Sequence, residues 1–515
     1  MANIFEEKDR RVIPNWRSFK RTVSLGELNS STLIKAEKNE ILFPLDDYIF
    51  DFKKNLSLPH AGDLISAAIS NGIVEHKDVI NAAKFILSKK TLATNTQITL
   101  AKQILFCTSG PRDKNSISHL TVDTFTRVIK KEILWKRIKE VRQRIQEFPY
   151  NPLLYVELSR YHSILGQEEK AKNAMKIALH LSPNNRFILR CAVRLFAHYD
   201  DIEFSHDLLR KNPLSYNDPW LTSAEIAIAT IRERSSRFIK RGLEMIDSKK
   251  YSPFSISELS SSIATVELLN GNNKKSRALF KHALIEPNDN TLAQVEWASK
   301  IDGNLSINPL TYKVKSSFEA LSIDNFQNQK FKEALDNTFR WLVDQPFTRR
   351  PIMLGAHIAG ALLNDQQTNR EFLFAGLISH PNDPQIINNI VYSFALENEI
   401  EEAKKYLEQI KWSEEINEMT NICLTATRGL LNFRTHKPEL GRKLYMEAIE
   451  KATLKQNQYY ISLALLNWAR EEILNKSADI ESIMDAVYKI PEDKSNFDVS
   501  ILQKEVIKLF QINNL

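Results

Sequence analysis

The side chains of this chain that could do chemistry are scattered, and their spacing says more about what they cannot do. The eleven histidines show no ligand spacing. Cys107, Cys191 and Cys423 lie far apart with no CxxC or Cys/His pattern, which reads as free buried thiols in a reducing compartment. Acidic pairs occur at Asp46-Asp47, Asp200-Asp201 and Glu401-Glu402. Each falls in a turn or at a helix start, where a carboxylate complements the helix dipole instead of serving as a general acid or base. Nucleotide-binding glycine loops, the HExxH zinc pattern and the GxSxG nucleophile turn are all missing from the sequence. The expectation is a protein that is not an enzyme and has no cofactor and no metal. One cluster stands out. Residues 127–144 carry Arg127, Lys130, Lys131, Lys136, Arg137, Lys139, Arg142 and Arg144 against only Glu132 and Glu140, a local excess close to the whole-chain net charge of +7. Such a run attracts nucleic acid or an acidic partner, or is simply the solvated face of a helix.

The elements that hold these residues are helices. Gly is scarce (13 of 515 residues) and Ala, Leu, Ile, Lys and Glu are abundant, while no period-2 apolar alternation bounded by strand-type turns is seen. The hydrophobic share of 43% is ample for a core, and no apolar run approaches the ~18–20 residues that cross a bilayer. The first residues, Met1-Ala-Asn-Ile-Phe-Glu-Glu-Lys-Asp-Arg-Arg, lack the apolar stretch of a signal peptide, so a soluble cytoplasmic protein is expected. Residues 1–60 read as an irregular N-terminal arm, broken at Ile13-Pro14, Phe43-Pro44 and Leu58-Pro59, in which Arg10–Phe19 mixes basic and aromatic residues like a docking segment. Residues 61–148 read as a small helical bundle: Ala61–Asn71, His76–Ser88, Gln97–Phe106, and a long basic amphipathic helix, Val122–Glu147.

From 152 onward the pattern becomes periodic. Pro152, Tyr155, Leu158, His162, Gly166, Ala171, Met175, Ala178 and Pro183 close one helix-turn-helix unit. Similar spacing returns at 386–410 with Ile387, Ile390, Phe394, Asn398, Ala403, Leu407 and Ile410, and partial copies lie between and beyond. Prolines punctuate the run: Pro183, Pro219, Pro253 and Pro287 are 36, 34 and 34 residues apart, and Pro346 and Pro381 are 35 apart. This pattern resembles the tetratricopeptide repeat (TPR) family, whose period is ~34 residues. The resemblance spans about two thirds of the chain. It implies an all-α fold, a right-handed TPR-like helical-repeat superhelix preceded by the bundle and the arm. Two sub-arrays are expected, 149–301 and 302–490, parted by a loop at Asn308-Pro309, with a capping helix in 491–515.

By that resemblance the first helix of each repeat lines a concave groove. The positions it assigns there include Arg160, Arg190, Arg194 and His198 in the first two copies, and Asn388 and Tyr392 further on. Three arginines from adjacent helices would suit an acidic partner segment through bidentate contacts, unless nearby carboxylates already neutralise them. Asn388 could hydrogen-bond a partner's backbone. The function expected is a protein–protein interaction scaffold or adaptor with another protein as partner and no membrane contact. The alternatives are a regulator that senses a peptide or ligand, and a nucleic-acid binder working through Lys130, Lys131, Lys136 and Arg137. Oligomeric state is left open.

Overall fold

The computed structural model describes residues 45–71, 75–109, 131–248, 250–314, 317–411, 416–477, 480–491 and 496–513. They fall into two compact units, 45–109 and 131–513. The proposed docking segment Arg10–Phe19, Lys130 and the side chain of Cys107 lie outside the described residues.

The smaller unit holds four helices, α1 (Leu45–Lys54), α2 (Leu58–Asn71), α3 (Lys77–Ser88) and α4 (Asn95–Ser109). It corrects the expectation that 1–60 is irregular throughout. Asp46 and Asp47 open α1 and Lys53 and Lys54 close it, matching the helix dipole, while Ile49 and Phe52 bury its inner face. Pro59 does not break α2, because it sits in the first turn, where its missing N–H is not needed. Leu64, Ile65, Val79, Ala82, Ile86 and Ile104 complete the core.

The larger unit begins with α5 (Lys131–Glu147). This helix belongs to the array and not to the N-terminal bundle where the sequence placed it: Leu134, Ile138 and Val141 pack into one core with Leu154, Met175 and Leu189. Helix pairs follow in strict succession: α6 (Pro152–Ile164) with α7 (Glu168–Leu181), α8 (Arg186–His198) with α9 (Ile202–Lys211), α10 (Pro219–Ile231) with α11 (Ile239–Asp247), and α12 (Pro253–Leu269) with α13 (Asn273–Ala283). Next comes α14 (Asp289–Ser299), whose second helix is replaced by two 3-10 turns, Gly303–Leu305 and Pro309–Tyr312. The pairing resumes with α15 (Phe318–Gln327) and α16 (Phe331–Asp344), then α17 (Arg349–His357, extended by a π turn to Leu362) and α18 (Gln366–Ser379). Last are α19 (Pro384–Leu396) with α20 (Ile400–Leu407), α21 (Glu418–Arg434) with α22 (Pro438–Leu454), α23 (Gln458–Leu474) with α24 (Ile480–Tyr488), and the final α25 (Phe497–Asn513). The loop at 301–312 does not part the array into two: α14 packs directly on α15 across it, and 131–513 form one unit.

A local grammar writes most of the first helices. Such a helix opens on a capping side chain that accepts from first-turn N–H groups, as Asn151, Asn185, Asp218, Ser252, Asn288, Asp383, Asn417 and Asn457 do. It closes on a left-handed residue: Gly166, Asp200, Glu233, Gly271, Gln329, Asn364, Asn398, His436 and Lys476 all have φ between 52° and 78°. The turn is then locked by a six-residue backbone bond, such as Gln167 N to His162 O at 2.8 Å or Asn272 N to Glu267 O at 2.8 Å. Hydroxyls pin the paired helices together, with Ser159 Oγ donating to Ala171 O (2.8 Å) and Ser276 Oγ to Ala264 O (2.9 Å).

Two contacts reach far beyond neighbouring repeats. Phe347, 1% exposed, completes the core formed by α6–α9, and Ile378 packs on it. There His198 meets Phe347 edge-on at 5.4 Å and faces His380 at 6.5 Å, while His380 Nε2 lies 3.1 Å from Phe347 O. Gly166 sits so close that a Cβ would lie 2.7 Å from Ser379 O. At the other end, Phe497 of α25 packs edge-on against Phe326 (5.8 Å) and Phe331 (5.7 Å). The final helix thus covers α23 and α24 through Val499 and Val506, and also reaches back to the sixth repeat.

Candidate functional site

First helices α6, α8, α10, α12, α14 and α15 pack side by side in succession, so their outward-turning residues form one face. At its centre, α8, α12 and α14 converge on Glu258, which is 4% exposed. Arg190 Nη2 donates to its Oε2 at 2.7 Å, and Arg194 Nη2 lies 3.7 Å from the same oxygen. The amides of Asn288 and Asn290 donate to Oε1 at 2.7 and 2.9 Å. Burial works against ionisation of Glu258, but the two guanidinium groups and the two amides outweigh it and hold the carboxyl below its ordinary value. Arg190 also lies over the Trp220 ring, 4.5 Å from its centroid. These arginines are therefore bound into the fold and are not waiting for an acidic segment.

Beside this hub the face dips into a shallow polar hollow of about 20 Å³. Ala227 and Thr230 of α10, Ser261, Ser262 and Thr265 of α12, and Asn290, Thr291 and Gln294 of α14 line it. Gln294 Nε2 donates to Thr265 Oγ1 at 3.0 Å, and the Ser223 and Ser262 hydroxyls pair at 2.8 Å. The Oγ of Ser261, Oγ1 of Thr291 and Oδ1 of Asn290 are buried and make no hydrogen bond among the described residues.

The other candidate residues are dispersed along the same face or away from it. Arg160 on α6 is 7% exposed, and its Nε and Nη2 make no hydrogen bond within the protein. His198 is committed to the contact with Phe347 and His380, where burial and the neighbouring imidazole lower its pKa to about 3. Asn388 is 3% exposed, and its Oδ1 also lacks a hydrogen-bond partner. Tyr392 is spent internally, its hydroxyl donating to Asn467 Oδ1 at 2.7 Å. On α5, Lys131 and Lys136 are exposed, whereas Arg137 pairs with Glu140 at 3.1 Å. The structure brings Arg190 and Arg194 together, and leaves the basic helix, Asn388 and Tyr392 elsewhere.

Counting from the N-cap explains what the sequence did and did not offer. Arg194 stands nine residues after its cap Asn185 and His198 thirteen. The same count from Ser252 selects Ser261 and Thr265. Glu258 falls six residues after that cap, off the groove positions, and no local pattern marks it as the partner of Arg190, 68 residues earlier.

Among the described residues no group of three or more His, Cys, Asp or Glu could hold a metal, and no helix is long and apolar enough to cross a membrane. Helix pairs with capped starts, left-handed closures and side-by-side first helices decide the architecture. The array is a TPR-like helical repeat. No family model and no curated protein sequence matches the chain. Among solved structures, the crystal structure of the yeast Tom70 is similar over 91% of this chain and 97% of that chain, at 12% identity and a TM-score of 0.29. The structure of Naa15/Naa10 bound to HypK-THB is similar over 97% and 93%, at 11% identity and a TM-score of 0.26. With overlaps this loose, the repeat architecture rests on the chain's own helix pairs.

Proposed function

We propose that this protein is a non-catalytic scaffold that holds an extended segment of a partner protein along the first-helix face of its TPR-like array, in the cytoplasm. One observation carries the reading. Buried polar atoms without a hydrogen bond in the protein recur on first helices, at Arg160 on α6, Ser261 on α12, Asn290 and Thr291 on α14, and Asn388 on α19. A buried polar group left unmet costs about 1–3 kcal/mol, and an extended polypeptide offers alternating N–H and C=O groups that would meet such atoms along its length. The lining at 258–294 is neutral, because Glu258 is balanced from within. It favours recognition of backbone and uncharged side chains over the acidic segment expected from three free arginines. The free thiols of Cys191 and Cys423 suit a reducing compartment.

The test is capture of partners from the native host by the tagged full chain, compared with Thr265→Trp, which places an indole in the hollow. Loss of a nuclease-resistant partner in the variant, with its far-UV spectrum unchanged, supports the reading. Retention of every partner by the folded variant refutes it. Charge reversal at Arg190 or Arg194 is a poor probe, because it would set two acids against each other beside Glu258 and unfold the repeat.

A further inference from the structure

The third repeat breaks the array's grammar twice, and both departures open onto one cavity. In seven other repeats three residues join the first helix to the second, as at 165–167, 270–272 and 397–399; here α10 and α11 are joined by seven, 232–238. The approach to α10 is also lengthened, by the 3-10 turn Pro213–Tyr216 capped by Asn212. In repeat arrays, insertions of this kind gather on one face, which is often the binding face. Between these two segments lies an open cavity of about 380 Å³, within the range of ligand pockets.

Its chemistry is cationic and aromatic. Arg210, Lys211 and Arg237 line it with the exposed ring of Tyr216, and no carboxylate is among the lining residues. Among the described residues the Arg210 guanidinium makes no hydrogen bond and feels Asp207 only through space, and Arg237 makes one hydrogen bond, Nη2 to Arg210 O at 3.0 Å. Lys211 meets Asp207 at 2.7 Å, but both side chains are largely exposed, so that pair is weak and exchangeable. The walls are fixed in advance. Ser236 of the long loop donates to buried Glu225, whose other oxygen lies 3.2 Å from His206 Nε2, and Arg232 ties His206 to Glu203. Phe238 is 2% exposed and anchors the loop's end. On the far side Arg241 lies 5.1 Å from the Tyr216 ring centroid and donates to Tyr216 O, which holds the ring in place.

We propose that this cavity is a second binding site, for a phosphorylated segment of a protein partner. Two arginine forks and an ammonium outnumber the two oxygens of a carboxylate, but match a phosphate monoester with its charge of about −1.5 to −2 and three acceptor oxygens. The cavity is far larger than one phosphate, and the open face of Tyr216 receives a residue beside it. The site rests on the scaffold reading but uses second-helix and loop residues, away from the face lined by Ser261 and Thr265.

The experiment measures binding of the full chain to a fluorescent acidic decapeptide carrying one phosphoserine. Its serine and glutamate counterparts, inorganic phosphate and a ten-residue oligouridine are run beside it. The expected result is saturable phosphopeptide binding at least tenfold tighter than either counterpart. It should drop at least tenfold in Arg210→Gln/Arg237→Gln and be unchanged in Lys240→Gln, an exposed cation outside the cavity. Equal binding of the glutamate peptide, tighter binding of oligouridine or of phosphate alone, or indifference to the double substitution would overturn the site. Arg210 and Arg237 are exposed, so the variant keeps its fold, and thermal unfolding checks this. Phosphopeptide binding that survives in Thr265→Trp separates this site from the first-helix face. If it persists while that variant still captures its partner, the scaffold reading fails and the phosphate site stands.

Discussion

Gly166 and Gly271 form a matched pair that isolates the long-range contact between the first repeat and the segment 347–381. Both end a first helix with positive φ, +65° and +78°, so alanine at either costs about 1 kcal/mol for the left-handed backbone. Their surroundings differ completely. A Cβ on Gly271 meets nothing within 4 Å, whereas on Gly166 it would sit 2.7 Å from Ser379 O and 3.2 Å from Pro381 Cδ. Backbone cannot step aside as a flexible side chain can, so Gly166→Ala adds an overpacking cost of about 1–3 kcal/mol. The totals are about 1 kcal/mol for Gly271→Ala and about 2–4 kcal/mol for Gly166→Ala. Hydrogen exchange read by mass spectrometry places the damage. In Gly166→Ala, protection should fall both around 160–181 and around 345–381, almost two hundred residues away. In Gly271→Ala it should fall only near 268–276. Faster exchange confined to the first repeat in Gly166→Ala would mean that the contact does not bind the two segments together.

Three further outcomes follow from named groups. Glu258→Gln removes the charge that faces the buried Arg194 and part-buried Arg190 guanidinium groups and should destabilise the array by about 3 kcal/mol. Because its folded pKa is depressed, the wild-type contribution is complete above about pH 4.5 and fades as pH falls through the lower folded value, so urea midpoints of wild type and variant should converge in acid. His198 has a folded pKa of about 3 against an ordinary 6.5, so stability is full above pH 6.5 and declines as the pH falls toward 3. His198→Gln should flatten that decline, and an unchanged pH profile of thermal unfolding would count against the buried neutral imidazole. Phe497→Ala removes the edge-on contacts to Phe326 and Phe331 and should cost about 2–3 kcal/mol, seen as early proteolytic release of residues 497–513; release at the wild-type rate would show that α25 is held by α23 and α24 alone.

The repeat was readable where its signals are chemical and faint where they are conformational. Prolines and Asn or Asp caps announce the helix starts, and Ala171, Ala178 and Ala403 mark close crossings. The turn signal failed for a physical reason: of the nine first helices that end on a left-handed residue, only two use glycine there, Gly166 and Gly271. Asp200, Glu233, Gln329 and His436 adopt the same φ because a six-residue backbone bond forces it, and nothing in their side chains advertises that. The sequence puts the arginines on one face of their helices and leaves open their pairing with acids, but nothing in it marks which carboxylate engages Arg190 and Arg194. Glu258 lies two repeats away, and the packing of α8 and α12 on either side of α10 brings it within 2.7 Å of Arg190. Position predicts the face; pairing across it depends on how tightly the array winds.

The contact between Gly166 and Ser379 also orders events in time. Ordinary repeat arrays can fold as they emerge, since each repeat needs only its neighbour. Here the first repeat gains its last contacts only from a chain segment some two hundred residues downstream. At ribosomal speeds of about 5–20 residues per second, that wait is on the order of 10–40 s. Throughout it, the surface that Phe347 will cover stands open beside His198, and whatever binds there first in the cell meets this protein before it is finished.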